Sequence, residues 1–279
     1  MTSTTQPGQN QYVPGYKKQH IQNHAWRTAE NSCAYLIPTL HAKVKAHPQL
    51  HALDVGAGPG TITASLAKYF PDGHIIATDL SPDVVAQAQA NAAPNMSAQT
   101  ASIYDLPFEK DSFDFVHAHQ VLCHLDQPLT ALKEMLRVCK TGGFVAVREA
   151  DVRMSNVWPE REGLVETYKA LMAVMKAAGG SDDLGARLVN LAMQAGVERG
   201  DIQASMGTWC YSTPEERQMF GNTFATRLRE GNMRSVILDK KLGWTAEQLD
   251  SMADDWDKWI ETEDGCTGFM HGEVIITKR

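Results

Sequence analysis

Apolar residues recur along the chain in two alternating rhythms, and the alternation predicts the fold. Over 26–46, Ala29, Cys33, Leu36, Ile37, Leu40 and Val44 fall at helical spacing, which predicts one amphipathic helix kinked at Pro38. Strand-like and helical stretches then take turns: strands over 51–55, 74–79, 98–103, 113–119 and 144–149, with helices over 61–70, 82–92 and 129–138. Strands separated in this way run parallel with crossover connections, so the pattern predicts a doubly wound α/β sheet. After Asp151 the rhythm changes: helices over 160–178 and 184–195, a strand over 202–211, helices over 214–229 and 245–260, and a last strand over 268–277. In the 245–260 helix Leu249, Met252, Ala253, Trp256, Trp259 and Ile260 share a face. Asp250, Asp254, Asp255, Asp257 and Glu261 lie largely off it, as a solvated side. The first fifteen residues are polar, carry Pro7 and Pro14, and predict a loose arm.

Composition narrows the class. Of 279 residues, 43% are hydrophobic and 21% charged, enough apolar surface for a sizeable core. The longest apolar runs fall far below the ~20 residues that cross a bilayer, and 1–20 holds no apolar targeting run, so a cytoplasmic protein without a membrane partner is expected. A net charge of -7 with no basic stripe excludes a nucleic-acid partner. The five cysteines, Cys33, Cys123, Cys139, Cys210 and Cys266, contain no Cys-x-x-Cys pair, which suggests reduced thiols and no metal. Oligomeric state is not legible in the pattern.

The most informative run is LDVGAGPGT, over 53–61, which follows a short apolar strand and opens a helix. Glycines there let a ligand approach the backbone and the helix N-terminus closely. The spacing Gly56-x-Gly58-x-Gly60 departs from the Gly-x-Gly-x-x-Gly of dinucleotide oxidoreductases, which would need glycine at Thr61. Asp79 closes the next strand, 25 residues after Asp54, where a carboxylate accepts hydrogen bonds from ribose hydroxyls. A ribose-bearing ligand is implied.

These segments resemble the class I S-adenosylmethionine-dependent methyltransferases, in particular the ubiquinone/menaquinone-biosynthesis-like branch that acts on small molecules. LDVGAGPGT is similar to that family's motif I and IIATDLSPDVV to its motif II, and the stretch 104–149, YDLPFEKDSFDFVHAHQVLCHLDQPLTALKEMLRVCKTGGFVAVRE, to the block from strand four to strand five. The likeness covers about 50–151. It implies a Rossmann-like seven-stranded sheet whose last strand runs antiparallel. An N-terminal arm and lid helix would occupy 1–46, and a methyltransferase domain 47–279, with helical insertions at about 152–200 and 212–262.

The resemblance also implies S-adenosyl-L-methionine as cofactor. Gly56, Ala57 and Gly58 would line its methionine part, and Asp54 and Gly60 of the same motif would also bind the cofactor. Asp79 would hold the ribose, with Leu80 against the adenine. Many relatives carry Asp four positions before Leu-Pro-Phe; here it is Ser102, so the Ile103 backbone would share adenine recognition. Thr141 replaces the usual proline before Gly142-Gly143. His119 and Gln120 would complete the cofactor site at the end of strand four, and Arg27 would pair with the cofactor carboxylate.

The segment 119–122 lacks the Asn/Asp-Pro-Pro-Tyr/Phe motif of resembling DNA- and glutamine-modifying enzymes, which points to a small-molecule acceptor. Its wall would come from Tyr12, Tyr16, His20, His24 and Trp26, and from Met154, Trp158, Tyr168, Met172 and Met175. If the acceptor needs deprotonation, the base is His119 or His124, the latter with its pKa lowered by a helix N-terminus; Glu149 and Asp151 are further candidates. A non-catalytic or regulatory S-adenosylmethionine-binding protein is the alternative. A nicotinamide-dependent oxidoreductase is disfavoured by Thr61.

Overall fold

A computed structural model describes residues 26–279. Tyr12, Tyr16, His20 and His24, expected in the acceptor wall, lie outside the described residues. The single helix expected over 26–46 is two: α1 (Ala29–Ser32) and α2 (Ile37–Ala46). Thr28 caps α1 reciprocally with Asn31. Pro38 sits in the first turn of α2, where its missing N–H has no bond to lose, so it starts a helix instead of kinking one.

Seven strands follow: β1 (His51–Val55), β2 (His74–Asp79), β3 (Met96–Thr100), β4 (Phe113–His119), β5 (Cys139–Trp158), β6 (Ile202–Tyr211) and β7 (Cys266–Thr277). They form one sheet in the order β3-β2-β1-β4-β5-β7-β6. The first five run parallel, and β7 lies antiparallel to both its neighbours, as expected. The crossovers are α3 (Thr61–Ala67), α4 (Pro82–Ala90) and α5 (Pro128–Val138). Between β5 and β6 come α6 (Glu162–Ala177) and α7 (Leu184–Gln194); between β6 and β7 come α8 (Pro214–Arg229), α9 (Asn232–Asp239) and α10 (Ala246–Ile260).

Three departures from the pattern have physical causes. β3 begins and ends earlier than expected because Asp79 pairs with Thr100 and the chain then turns, Ser102 bridging to Asp105. β5 runs on to Trp158 because β7 pairs with it beyond a register shift between Asp151 and Ser155. The short α9 was not expected: it buries only Met233 and Ile237, too sparse a stripe to read.

One face of the sheet packs α1 and α2 over Phe115 and Phe144, whose rings stack at 4.7 Å, with Leu36, Leu40 and Phe70 in the same core. The opposite face carries the larger core, into which α10 inserts Trp256 and Trp259, both fully buried. Their indole N–H groups donate to Thr167 Oγ1 (3.0 Å) and to the Trp158 carbonyl (2.9 Å). The acidic side of α10 is solvated as expected, with Asp254 and Asp257 on Arg229 and Asp250 on Arg234. Tyr168 and Met175, expected in an acceptor wall, belong to this core instead, because α6 buries that face against β5 and α10. Met154 and Trp158 are exposed at 55% and 59%.

Where α7 crosses β7 the backbones touch through glycines: a Cβ on Gly272 would stand 1.8 Å from the Gly185 carbonyl oxygen. Gly272→Ala is therefore expected to lose about 3 kcal/mol or more, since neither backbone can yield without moving a helix or a central strand. Urea unfolding measures it, and a loss under about 1 kcal/mol would contradict the close crossing.

Candidate active site

The glycine loop leaves β1 in left-handed backbone at Gly56, Gly58 and Gly60, with φ of 66°, 57° and 76°. Gly60 forms the N-cap of α3, and the Ala57 N–H donates to the Thr78 carbonyl (2.9 Å), tying the loop to β2. A Cβ at Gly58 would meet nothing within 4 Å, so the loop presents open backbone there. Asp79 braces it: Oδ2 accepts the Gly58 N–H and Oδ1 the Ser81 N–H, each at 3.1 Å. Burial pushes the Asp79 carboxyl up, against the backbone N–H groups that favour its charge. Beside it Leu80 is 41% exposed, an apolar surface at the loop's margin. Ser102 Oγ accepts the Tyr104 N–H (3.3 Å) and leaves its own proton to donate, while Ile103 is half-buried against the larger core.

Asp54 has a different task from the one expected. It is 2% exposed, and both oxygens are engaged inside the protein: Oδ2 accepts from the Thr63 hydroxyl (2.5 Å) and Oδ1 from His117 Nδ1 (2.8 Å). His117 Nε2 lies 3.4 Å from Cys33 Sγ in the turn between α1 and α2. Burial opposes a charge on His117, but Cys33 and Asp54 together carry its pKa up to about 10. The ligand atoms of Cys33, His117 and His119 lie within 4.8 Å of one another, a spacing open to a metal ion. His117, however, uses both nitrogens in the Asp54–His117–Cys33 chain.

A second group gathers around Trp209 of β6. Its ring lies 5.3 Å from His119 and 4.6 Å from His271, and the Arg27 and Arg148 guanidinium carbons stand over it at 4.9 and 4.7 Å. Arg148 Nε donates to Glu273 Oε1 (3.0 Å), whose other oxygen accepts from Ser205 (2.7 Å). Gln120, in left-handed backbone at φ 53°, turns its amide to His271 Nε2 at 2.6 Å. Among the described residues neither ring nitrogen of His119 has a hydrogen-bond partner, and the buried Tyr35 hydroxyl and Arg148 Nη1 likewise have none. Burial, with Arg27 and Arg148 nearby, holds both His119 and His271 well below the usual histidine range, so both are neutral at pH 7.

His124 ends a short 3-10 turn (Leu122–His124) and does not lie at a helix N-terminus. Its pKa is lowered to about 4 by burial and by Arg27 and Arg227, a cause other than the helix dipole expected. Glu149 holds this turn, accepting the N–H groups of Val121, Leu122 and Cys123, and burial pushes it up to about 7. Asp151 is engaged by Arg153 at 2.7 Å. The pattern did not single out Trp209, Arg148, His271, Glu273 or Tyr35. Arg148, His271 and Glu273 did leave a signal: each is a polar or charged residue inside an otherwise apolar strand.

This strand order, with a glycine turn after β1 and a carboxylate closing β2, defines a class I, Rossmann-like S-adenosylmethionine-dependent methyltransferase fold. A family model described as a methyltransferase domain matches residues 53–147. An uncharacterised methyltransferase of Schizosaccharomyces pombe is 32% identical over 96% of this chain and 96% of its own length. The probable methyltransferase ltbC of Aspergillus luteorubrus is 30% identical over the full length of both. Among solved structures, a phosphoethanolamine N-methyltransferase of Haemonchus contortus bound to S-adenosylhomocysteine superposes with a TM-score of 0.54 at 16% identity, over 95% of this chain and 59% of that one. The chain belongs to the methyltransferase family.

Two outcomes follow from the buried charges. Asp54→Ala strands a charged His117 in the interior and is expected to lose about 3–5 kcal/mol in urea unfolding; a loss below about 1 kcal/mol would deny the pairing. His124 has a folded pKa of about 4, below its unfolded 6.5. Acidification from pH 6.5 towards 4 therefore protonates the unfolded chain first and removes stability, about 2 kcal/mol from this half-buried residue alone. His124→Asn should flatten that part of the pH–stability curve, and an unchanged slope would refute the assignment.

Proposed function

We propose that the chain transfers the methyl group of S-adenosylmethionine to a small organic acceptor, with the cofactor laid across the 56–60 turn. The observation that carries this reading is the open backbone at Gly58 set against the Asp79 carboxylate. Each Asp79 oxygen accepts one backbone N–H and keeps a lone pair for a ribose hydroxyl. Leu80 would cover the adenine, and the Ser102 hydroxyl and Ile103 backbone would meet its amino edge. Gly56, Ala57 and Gly60 shape the turn, and Arg27 would neutralise the carboxylate.

When bound, the cofactor supplies a methyl group on a sulfonium, whose positive charge is lost in the transition state. The chain must then hold the acceptor in line and exclude water, which proximity alone can turn into a large acceleration. His119, neutral and buried at the end of β4, is the group we assign to the acceptor's proton. An oxygen attacking a methyl group becomes more acidic as its bond forms, so even a weak base can take that proton. A small acceptor is supported by the net charge of -7 and by the burial of the Trp209 group. We also place the reaction in the cytoplasm, supported by five free cysteines; no helix among the described residues is long and apolar enough to cross a membrane.

Asp79→Ala should weaken S-adenosylhomocysteine binding about tenfold to a few hundredfold, for two lost hydrogen bonds. Calorimetry on the folded variant measures this, and an unchanged dissociation constant would remove Asp79 from the cofactor site.

A further inference from the structure

The Trp209 group contains polar atoms that the described residues leave unanswered. His119 is 7% exposed with neither ring nitrogen bonded, and Arg148 is 2% exposed with Nη1 unpartnered, although its Nε is held by Glu273. The Tyr35 hydroxyl, from the turn above, is buried without a partner and lies close enough to Glu273 and Arg148 for their charges to bear on it. Unanswered polar atoms in such surroundings are destabilising, a charged group most of all, unless a ligand answers them.

The positions are related. His119 of β4 and Arg148 of β5 are register partners in adjacent parallel strands, and both contact the Trp209 ring. Neighbouring strands stand roughly 4.8 Å apart, so two groups rising side by side from them address atoms on one edge of a small ligand. The chemistry of each differs. Arg148 Nη1 only donates and is always charged, so it calls for a carbonyl or carboxylate oxygen. A neutral imidazole accepts at one nitrogen and donates at the other, so His119 suits a hydroxyl. The surrounding surface is aromatic: the His119 ring is within 21° of parallel to both His117 and His271, with Trp209 closing one side. Such a surface suits a flat ligand.

Building on the assignment of His119 to the acceptor's proton, we propose that the acceptor is a planar hydroxy-carbonyl compound, an enol or phenol with a carbonyl or carboxylate oxygen on the adjacent carbon. Its hydroxyl faces His119 and its carbonyl oxygen faces Arg148 and Tyr35. In the transfer, the hydroxyl oxygen forms a bond to the cofactor methyl as the carbon–sulfur bond breaks and its electron pair stays on sulfur. The hydroxyl proton passes to His119, and the products are the methyl ether of the enol or phenol and S-adenosylhomocysteine. Arg148 and Tyr35 set specificity by fixing the carbonyl oxygen.

The probes are salicylate, which carries hydroxyl and carboxylate on one edge, and 4-hydroxybenzoate, which carries them on opposite ends. Each is titrated calorimetrically into the full chain, with and without saturating S-adenosylhomocysteine. Salicylate should bind at least about tenfold more tightly than 4-hydroxybenzoate. Arg148→Lys, which keeps a cation for Glu273 but withdraws the second donor, and Tyr35→Phe, which deletes one oxygen, should each weaken salicylate about fivefold or more and leave S-adenosylhomocysteine affinity unchanged. Equal binding of the two probes, or salicylate affinity untouched by both folded variants, would overturn the proposal. Failure of the cofactor reading shows separately, as loss of S-adenosylhomocysteine binding to the unmodified chain.

Discussion

Asp54 places a carboxylate in the interior, where an unpaired charge is strongly destabilising, and its two partners, with the group that joins through one of them, come from three separate parts of the chain. Thr63 lies in the first turn of α3, His117 on β4, and Cys33 joins through His117 from the turn before α2. The end of β1, the start of the helix after the glycine loop, the neighbouring strand and the N-terminal cover are thus held by one chain of hydrogen bonds. The loop between Asp54 and Thr63 has little choice of path, which is how three residues in left-handed backbone come to be maintained in sequence.

The Trp209 indole N–H donates to the Asn31 carbonyl (2.7 Å), which ties the N-terminal cover to β6. Trp209 on β6 and His271 on β7 reach the end of β4 only because β7 inserts antiparallel between β5 and β6. The glycine loop and the Trp209 group therefore occupy one end of a single sheet. The first offers open backbone and a braced carboxylate. The second offers buried rings, guanidinium groups and neutral imidazoles, and its low dielectric holds those imidazoles uncharged.

Burial also separates residues that looked alike in the sequence. His117, His119 and His124 lie within eight positions, yet His117 is held charged by Asp54 and Cys33 while the other two are held neutral. Asp54 lies one residue before the end of β1, and Asp79 closes β2. One is enclosed by a hydroxyl and an imidazole, and the other keeps lone pairs beside an open loop.

Local pattern was sufficient for most elements, because a strand or helix must bury one periodic face wherever it lies: β1, β2, β4 and β6 fall on the residues expected. The glycine turn and Asp79 were legible too, since left-handed backbone and a strand-end carboxylate leave a residue-type signature. The division of 26–46 into two helices, the length of β5, and the company of His119 were not. Pro38 permits either a kink or a start, and the turn over 33–36 that precedes α2 decides. β5 extends because β7, over a hundred residues later, pairs with it. Arg148, Trp209 and His271 meet through strand pairing between distant segments, and a side chain's charge state is set by what surrounds it in space. No window of sequence contains that information, so only the tertiary structure could decide which polar residues face one another and which of them remain unanswered.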